Sequence, residues 1–457
     1  MPRWSARQAP AGSRPTRRRR RPGPGVLGVL GVLGAALALL LTACGGAADS
    51  VRAHGPVHIT FWSALRGSQQ VVDEFNRTHS DVKVDFEQIP SGASGGYTKL
   101  SNAARAGNAP DVATIEYPEL PGYVIDGVAR DLDPLIPAGT KEKFQPAALD
   151  LTSFGGHTYS LPLDIEPMVF YYRKDLFAKY HLTVPTTWAG FRATAEQLRK
   201  AAPKARLASF FPNQMGEIAG LSWQAGAQWF GTAHDTWQLS MDDAPTRRVA
   251  GYWQRLLDRD LVRVEGQSSQ QWTAGIQSGD TVGYIDGAWA AGALMKSDPP
   301  GKGRWAVAPL PQWDPAHPAD GTEGGSTFTV TKDSRHPRQA MEFILWQTTD
   351  PDALKARLSS GTSSAFPAVP ALVPVAQHAM DDSYFGGQDI YAQFQRSAAT
   401  VRPQWMWGPR MLATLSQVQT GLARAAAGSG TIESALRAGQ AATLPDLTSV
   451  GLSVDSH

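Results

Sequence analysis

Apolar and polar positions recur along this chain with two alternating patterns, one typical of strands and one typical of helices. The segment from Val57 to Trp62 is β-branched and aromatic, and the segment from Val82 to Phe86 alternates between apolar and polar residues. Both patterns predict strands. Between them, Val71, Val72 and Phe75 recur at the spacing of one helix face. Strands that alternate with helices predict an α/β fold with a mostly parallel sheet.

The same alternation continues to the end of the chain. It predicts further strands at 111–115, within 155–162, and at 168–172, 281–285, 305–310 and 327–331. It predicts helices at 97–106, 175–177, 246–260, 337–348, 411–426 and 431–441, and another that begins after Thr187 as its N-cap. Ligands of α/β sheets bind beyond the carboxyl ends of the strands. Trp62, Ser63 and Glu116 lie at such ends.

The N-terminal segment differs from everything that follows it. Five arginines, Arg17 to Arg21, precede an apolar stretch over 26–41, and Cys44 follows closely. A basic start before a short apolar core is typical of a secretory signal peptide, here residues 1–43. The core is shorter than the ~20 residues that a transmembrane helix needs.

The only cysteine of the chain is Cys44, so an internal disulfide is impossible. The sequence Leu-Thr-Ala-Cys at 41–44 resembles the lipobox of bacterial lipoproteins. This resemblance implies that Cys44 becomes the lipidated first residue of the mature chain. Residues 44–56 would then form a tether between the membrane and the folded body.

Composition limits the classes of function. Removing residues 1–43 from the 457-residue chain leaves 414 residues, which is too long for one hydrophobic core and predicts two lobes. Eight of the 43 lysines and arginines lie in the removed segment, so the remaining chain has 35 basic and 41 acidic residues. This acidic balance removes the electrostatic basis for binding nucleic acid. The fourteen tryptophans suit a site that stacks against flat ligand faces, although some suit a core.

Short motifs occur in order along the chain. They are Ile-Thr-Phe-Trp at 59–62, Tyr-Ser-Leu-Pro at 159–162, Phe-Tyr-Tyr-Arg-Lys-Asp-Leu-Phe at 170–177, Val-Pro-Thr-Thr-Trp at 184–188, Gly-Tyr-Ile-Asp-Gly-Ala-Trp at 283–289, and Gly-Gly-Ser at 324–326 before the Met-Glu-Phe helix at 341–343. Together they resemble the extracellular solute-binding proteins of ABC importers, in the group that includes maltose-binding protein. Arg173 stands where that family has an asparagine in Tyr-Asn-Lys-Asp, and we expect this position to be structural.

The resemblance implies a two-lobed, periplasmic-binding-protein-like α/β fold, with a hinge and a ligand cleft between the lobes. It places crossing segments near 164–168, between 311 and 325, and near 361–366, where proline and glycine interrupt regular structure. Lobe 1 would comprise 57–165 plus 312–362, and lobe 2 would comprise 166–311 plus 363–457. Hinge closure over a ligand would present the closed form to a membrane permease. We expect the protein to act as a monomer.

A sugar presents hydroxyl groups at its edges and apolar C–H faces, so its site needs hydrogen-bond acceptors and aromatic rings. Candidates for these contacts are Trp62, Ser63, Glu116, Asp164, Trp223, Trp229, Asp286, Trp289, Gly325 and Ser326. Each has a competing interpretation, because tryptophans also pack in cores and acids also cap helices or close turns. We expect at least one of Trp223 and Trp229 in the core. Arg402, Trp405 and Trp407 form a further patch that suits packing better than ligand contact.

The sequence also allows two other functions. Residues 92–96 match the G-x-S-x-G pattern of hydrolases around Ser94, although their Gly/Ser composition favours a flexible loop. An anionic solute such as glycerol phosphate would need cationic partners, for which Arg66 and Arg402 are candidates.

The remaining motifs carry little weight. The G-x-G-x-x-G at 23–28 has no strand before it, and the histidine spacing predicts no metal site. The sequence predicts a protein that is no enzyme, needs no cofactor and is anchored by lipid at the extracellular face of the cell membrane. It would bind a sugar or oligosaccharide for an ABC permease.

Overall fold

A computed structural model of the protein describes residues 55–361 and 363–456. Its strands are β1 Val57–Ser63, β2 Val82–Gln88, β3 Val112–Glu116, β4 Ser153–Phe154, β5 His157–Thr158, β6 Leu161–Pro162, β7 Met168–Arg173, β8 Ala208–Phe210, β9 Phe230–Ala233, β10 Thr236–Leu239, β11 Val262–Val264, β12 Gly283–Gly287, β13 Trp305–Pro309, β14 Ser326–Val330 and β15 Val454–Ser456. Short 3-10 helices are Gly92–Ser94, Lys141–Lys143, Pro299–Gly301, Pro370–Leu372 and Asp382–Phe385.

The α-helices lie between these strands and dominate the last quarter of the chain. They are α1 Ser68–Thr78, α2 Gly96–Arg105, α3 Leu120–Ile125, α4 Pro146–Asp150, α5 Lys174–Lys179, α6 Trp188–Ala201, α7 Met215–Ala225, α8 Ala244–Asp258, α9 Gln270–Ser278, α10 Ala290–Ser297, α11 Pro337–Thr349, α12 Pro351–Leu358, α13 Val373–Ala379, α14 Ile390–Ala398, α15 Met411–Ala426 and α16 Ile432–Ser449. Most of the predicted long elements are present to within a few residues, whereas α7 was not predicted.

The first sheet has the strand order β2-β1-β3-β14-β6. β1 pairs in parallel with β2 and β3, whereas β14 pairs antiparallel with β3 and β6. Phe61 in β1 packs edge-on against Phe343 in α11, with ring centroids 5.2 Å apart. The parallel pairing places the ends of β1 and β3 at one edge of the sheet, as predicted. That edge carries Trp62, Ser63 and Glu116.

The second sheet has the order β12-β7-β13, and both of its pairings are antiparallel. The prediction of a mostly parallel sheet is right for β1, β2 and β3 and wrong here, because a hydrophobic pattern does not encode strand direction. Met168 and Phe170 of β7 enter one core, and Val169 and Tyr171 enter another. Successive side chains of a strand point to opposite faces, so both faces of β7 are covered. This explains its unbroken apolar sequence.

Local interactions confirm two details predicted from the sequence. The hydroxyl of Thr187 accepts a hydrogen bond from the Gly190 amide at 3.0 Å, which caps α6. The buried guanidinium of Arg173 donates to both carboxylate oxygens of Asp175, at 2.8 and 2.7 Å, and to the Ile276 carbonyl at 3.0 Å. Arg173 is therefore structural, and its departure from the family pattern joins β7 to the neighbouring elements.

The C-terminal helices α15 and α16 pack closely against each other. A Cβ atom added to Gly421 would lie only 2.4 Å from that of Ala435, so the glycine permits this approach. α16 continues to Ser449, past Pro445, so the prediction of an end near residue 441 is wrong. A proline inside a helix removes a donor without always ending the helix.

The predicted signal peptide, Cys44 and the tether up to residue 54 lie outside the described residues. Within the described residues, no helix combines the length and the apolar composition that crossing a bilayer requires. The lobe boundaries stay a prediction.

Candidate functional site

The predicted crossing segments lie side by side. The first leads from β6 in the first sheet to β7 in the second, and the second leads from β13 back to β14. The Ile165 amide donates to the Phe366 carbonyl, and the Glu323 amide donates to the Glu166 carbonyl, both at 3.0 Å. Main-chain hydrogen bonds therefore join the first crossing segment to both of the others.

Two acids of the first crossing segment, Asp164 and Glu166, also bind the other segments through their side chains; we name them the hinge pair. The Ser326 amide donates to Asp164 Oδ1 at 2.7 Å, and the Phe366 amide donates to Glu166 Oε1 at 3.3 Å. Burial raises the pKa of Asp164 to about 6, although the Ser326 amide and the charge of Arg357 lower it. Burial and the charge of Asp164 raise the pKa of Glu166 well above its usual value. Asp164 thus joins the first crossing segment to the start of β14.

Ser63, Gly325 and Ser326 likewise make their contacts within the protein. The buried hydroxyl of Ser63 accepts a hydrogen bond from the Leu65 amide at 3.0 Å. Gly325 has a φ of +99°, and a Cβ there would lie 2.5 Å from the Tyr117 ring, so both conformation and space require glycine. The Ser326 amide, a candidate for ligand contact, is used by the hinge pair.

Trp62 and Glu116 lie at the carboxyl edge of the first sheet with surface open to solvent. The Lys99 ammonium lies 4.3 Å from the centroid of the Trp62 ring. Tyr97 donates its hydroxyl to Glu116 Oε2 at 2.7 Å. Surrounding protein desolvates the Glu116 carboxylate and raises its pKa, whereas the Tyr97 hydrogen bond lowers it. A carboxylate that is accessible to water yet enclosed by protein is typical of a cleft wall. A small cavity at this edge is lined by Ala64, Leu65, Ile89, Pro90, Gly92, Gly96, Tyr97, Leu100, Thr114 and Glu116.

Asp286 and Trp289 lie together at the end of β12. Asp286 accepts hydrogen bonds from the Gln267 amide group at 2.7 Å and from the Gly287 main chain at 2.8 Å. Burial raises the pKa of Asp286 to about 7, although both hydrogen bonds lower it. The half-buried Trp289 donates its Nε1–H to the Glu323 carbonyl at 3.1 Å. The two residues therefore face the second crossing segment.

Trp223 and Trp229 are buried among aromatic neighbours. Trp223 stacks parallel to Trp405, with ring centroids 5.1 Å apart, and its Nε1–H donates to the Arg402 carbonyl at 2.8 Å. Trp229 donates to the Thr246 hydroxyl at 2.9 Å. The core interpretation, which the sequence also allowed, is the one that these surroundings favour. Trp407 is buried in the same cluster, so the aromatic part of the patch around residue 405 packs inside the protein.

Sequence reasoning missed two acidic residues that are buried beside Asp286. They are Glu217 in α7 and Glu323 in the second crossing segment, and neither accepts a hydrogen bond of normal geometry, although the main chain of Phe211 approaches Glu217 and lowers its pKa. Burial raises the pKa of both well above the usual value, and the charge of Asp286 raises both further. A signal was present in the sequence, because α7 is apolar along most of its length. A lone acid in such a helix has to be buried with its neighbours.

One group of residues has metal-ligand spacing. Asp131, Asp133 and His157 each place a ligand atom within 4.8 Å of the others. Lys141 Nζ lies 2.6 Å from Asp133, and His157 Nδ1 lies 2.9 Å from Asp131. These contacts account for the grouping through internal charge pairing.

Ser94 does not occupy a nucleophile elbow. It is exposed and ends the 3-10 helix Gly92–Ser94, whereas β2 has already ended at Gln88. A nucleophile elbow requires a sharp turn directly between a strand and a helix. The local geometry therefore differs from that of the hydrolases.

Residues 63–353 match the family model described as bacterial extracellular solute-binding protein, and the chain belongs to this family. It is 23% identical to the arabinooligosaccharide-binding protein of Bacillus subtilis over 320 residues, which are 67% of this chain and 72% of that protein. It is 26% identical to the maltooligosaccharide ABC transporter solute-binding lipoprotein of Streptococcus pneumoniae over 324 residues, with the same coverages.

The fold is also similar to that of a solved sugar complex. The galacto-N-biose-/lacto-N-biose I-binding protein of the ABC transporter from Bifidobacterium longum, solved with lacto-N-biose, matches with a TM-score of 0.78 at 28% identity. The match covers 88% of this chain and 100% of that chain. These comparisons confirm the two-lobed, periplasmic-binding-protein-like α/β fold and the family resemblance.

Proposed function

We propose that this protein binds a sugar or oligosaccharide in a cleft between its lobes and delivers it to the permease of an ABC importer. The observation that carries the proposal is the meeting of the crossing segments beside Trp289 and Asp286, in a chain of this family. The relatives from B. subtilis, S. pneumoniae and B. longum are named for binding oligosaccharides or lacto-N-biose, which supports a saccharide ligand here.

The ligand contacts that we propose are Trp62 and Glu116 beside the first sheet, and Asp286 and Trp289 beside the second. The half-buried rings offer faces for sugar C–H groups, and the carboxylates accept hydrogen bonds from hydroxyls. Hydrogen bonds to charged groups contribute ~1.5–3 kcal/mol each, and ring contacts add ~0.5–1.5 kcal/mol by analogy with aromatic pairs. A few of each reach micromolar affinity, about −8 kcal/mol.

Closure about the crossing segments would couple binding to delivery. Contacts from both sheets stabilise the closed form only when the ligand bridges them, so ligand shifts the population toward closure. The permease would then select the closed form. The other candidates have supporting roles: Asp164, Ser63, Gly325 and Ser326 hold the hinge and its turns, and Trp223 and Trp229 fill the core.

We place the protein at the extracellular face of the cell membrane, anchored through lipid on Cys44 and acting as a monomer. Each acyl methylene contributes ~0.8 kcal/mol, so two or more chains give stable anchoring. The relative from S. pneumoniae is named a lipoprotein, which supports this anchor. We expect no catalytic turnover of the ligand.

An anionic solute such as glycerol phosphate is the second candidate ligand, and its cationic partners are poorly placed. The Arg402 side chain donates to the Gln224 carbonyl at 2.9 Å. Arg66 is exposed at its surface, but the surrounding protein lowers the pKa of its guanidinium, and the charge of nearby Glu166 offsets this only in part. Glu116 and Asp286 would repel a phosphate, whereas they accept hydrogen bonds from polyols.

A thermal-shift screen of oligosaccharides and glycerol phosphates, followed by calorimetry on the strongest binders, tests the proposal. We expect a saccharide to raise the melting temperature, and we expect Trp289→Ala to weaken its binding at least about tenfold through loss of a ring contact and its hydrogen bond. The matched control is Trp229→Phe, which keeps a ring in the core. A large shift with a glycerol phosphate and none with any saccharide would overturn the choice of ligand.

A further inference from the structure

Glu217, Asp286 and Glu323 come together from three elements, and we name them the acid cluster. They belong to α7, β12 and the second crossing segment, and their exposures are 1%, 2% and 3%. A Cβ atom on Gly216 would lie 3.4 Å from Glu323 Oε1, so the start of α7 touches the crossing segment. The half-buried Trp289 binds the Glu323 carbonyl. The acid cluster therefore borders the proposed cleft.

The acid cluster lacks donors from the protein. Asp286 accepts hydrogen bonds from Gln267 and from the Gly287 amide, whereas neither oxygen of Glu323 has a donor, and Glu217 is approached only by the main chain of Phe211, which lowers its pKa without forming a hydrogen bond of normal geometry. Buried polar atoms in native proteins normally have partners, and leaving one unsatisfied is costly. Four such oxygens at one place call for donors that the chain does not supply.

The acid cluster also lacks a counter-charge. None of the ion pairs formed within residues 55–361 and 363–456 includes Glu217, Asp286 or Glu323. Asp164 of the hinge pair likewise forms no ion pair within these residues, but the nearby charge of Arg357 lowers its pKa. Buried carboxylates without a cation are unstable unless they are protonated or meet a positive charge.

A metal ion fits this arrangement poorly. Among the described residues, Asp131, Asp133 and His157 place three ligand atoms mutually within 4.8 Å, and the acid cluster does not form such a set. An ammonium group can be held by fewer acceptors, because two carboxyls can accept its hydrogen bonds of ~2.8 Å while the third contributes only charge.

We propose that the acid cluster binds the protonated amine of an amino-sugar unit in the transported oligosaccharide. This inference rests on the proposed function and narrows the ligand class. Trp289 would hold the face of the sugar ring, and the amine would donate to Glu217 and Glu323, whose oxygens are free. Asp286 would supply charge from the side where Gln267 and Gly287 already orient it.

Binding of an amine should also release protons, and this release can be measured independently of affinity. Burial raises the pKa of Asp286 to about 7 and those of Glu217 and Glu323 well above their usual value, so burial in the ligand-free protein favours the protonated carboxyls. The other titratable groups near Asp286 are Tyr171 and Tyr284, whose pKa values are raised so far that both stay neutral. An ammonium favours ionised carboxylates, so its binding releases protons to the buffer. Its affinity should rise between about pH 5 and about pH 7.

Calorimetry on the full mature chain with matched probes tests the proposal. The amine probes are glucosamine, galactosamine and the β-1,4-linked glucosamine disaccharide, and their hydroxyl counterparts are glucose, galactose and cellobiose. We expect at least one amine probe to bind about tenfold or more tightly than its counterpart, because charge-assisted hydrogen bonds are stronger. Repeating the titration in buffers of different ionisation enthalpy should show proton release.

Two variants of the acid cluster and one control make the result specific. Glu217→Gln and Glu323→Gln keep the side-chain size and should each remove most of the amine preference and the proton release. The control is Glu342→Gln, an exposed glutamate on α11, which should change neither. If no amine probe binds more tightly than its hydroxyl counterpart, the inference is overturned even when neutral oligosaccharides bind. If no saccharide of either kind binds, the proposed function fails as well.

Discussion

The hinge pair and the acid cluster are both groups of buried carboxyls close to the crossing segments, yet the protein holds them in different ways. The hinge pair receives the amides of Ser326 and Phe366, and the charge of Arg357 stabilises Asp164. In the acid cluster, Asp286 receives two donors, whereas Glu217 and Glu323 accept no hydrogen bond of normal geometry. Each acid of the hinge pair thus accepts a main-chain amide, although Glu166 Oε2 has no partner, and two of the three acids of the acid cluster do not.

The difference distinguishes carboxyls that hold the crossing segments together from carboxyls that would gain hydrogen bonds from a ligand. An acid whose donors and counter-charge come from the fold needs nothing else to explain its burial. An acid without them lowers the stability of the empty protein, and a ligand that supplies the missing donors regains that free energy. Exposure alone cannot distinguish the two groups, because all five side chains are almost fully buried.

The largest effect is expected from replacing Arg357, the cation near Asp164, because the acid cluster has no counterpart to it. Arg357 is buried, and its guanidinium donates to the Arg66 carbonyl at 3.2 Å. Burial lowers its pKa to about 10, so it stays charged at neutral pH. We expect Arg357→Met to lower the free energy of unfolding by about 1.5–3 kcal/mol, because it removes a charge-assisted hydrogen bond to the Arg66 carbonyl and the positive charge that lowers the pKa of Asp164. Urea unfolding followed by tryptophan fluorescence measures this loss.

The control for this variant is Arg338→Met, an exposed arginine in the first turn of α11. Its effect should stay within about 0.5 kcal/mol, as for most surface substitutions. Equal losses in the two variants would show that Arg357 contributes through its size or its helix and not through the hinge pair.

The second test uses the pH dependence of the acid cluster. The folded-state pKa of Asp286, about 7, lies above its unfolded value, so the folded protein binds a proton that the unfolded chain has released. The free energy of unfolding should therefore fall as the pH rises from about 4 to about 7, by an amount on the order of a few kcal/mol. Asp286→Asn should flatten this slope, and the exposed Asp73→Asn should not.

Asp164 contributes a similar slope at lower pH, because its folded pKa of about 6 is also raised. The contribution of Asp164 should remain in the Asp286→Asn variant, so the free energy of unfolding of this variant should still fall between about pH 4 and about pH 6. A profile that is unchanged by Asp286→Asn would mean that the acid cluster is hydrated in the ligand-free protein.

Elements with a regular pattern were predictable from the sequence, and so was the edge where β1 and β3 end. The antiparallel second sheet was not, because pairing direction depends on contacts between segments more than a hundred residues apart, such as β7 with β12. α16 extends past Pro445 because its neighbours hold it, which a local rule about proline does not include.

The candidate site was likewise predictable from the sequence only in part. Asp286 and Trp289 were predicted as ligand candidates because they follow a clear strand, whereas Glu217 and Glu323 were missed because burial of an acid is a tertiary property. Trp229 shows the reverse case, since a tryptophan in a Gly/Gln-rich segment suggested a ligand contact and its indole lies in the core. The residue types indicated the chemistry that the site needs. Only the packing distinguished residues that are candidates for ligand contact from residues that support the fold.

The smallest expected effects have opposite signs in the two groups, which makes them a sensitive test of the comparison. Asp164→Ala leaves the buried Ser326 amide without its acceptor and removes the charge that stabilises Arg357, so the free energy of unfolding should fall by about 1–2 kcal/mol at neutral pH. Glu217→Gln removes a carboxyl that is ionised and hydrated in the unfolded chain, whereas burial raises its pKa well above the usual value and disfavours the ionised form in the folded protein. The amide needs no proton, so this variant should raise the free energy of unfolding of the ligand-free protein by a similar amount. Urea unfolding of the wild type and both variants at one neutral pH measures the pair of effects. Losses of the same sign in both would mean that Glu217 has found partners within the chain and that the acid cluster is structural.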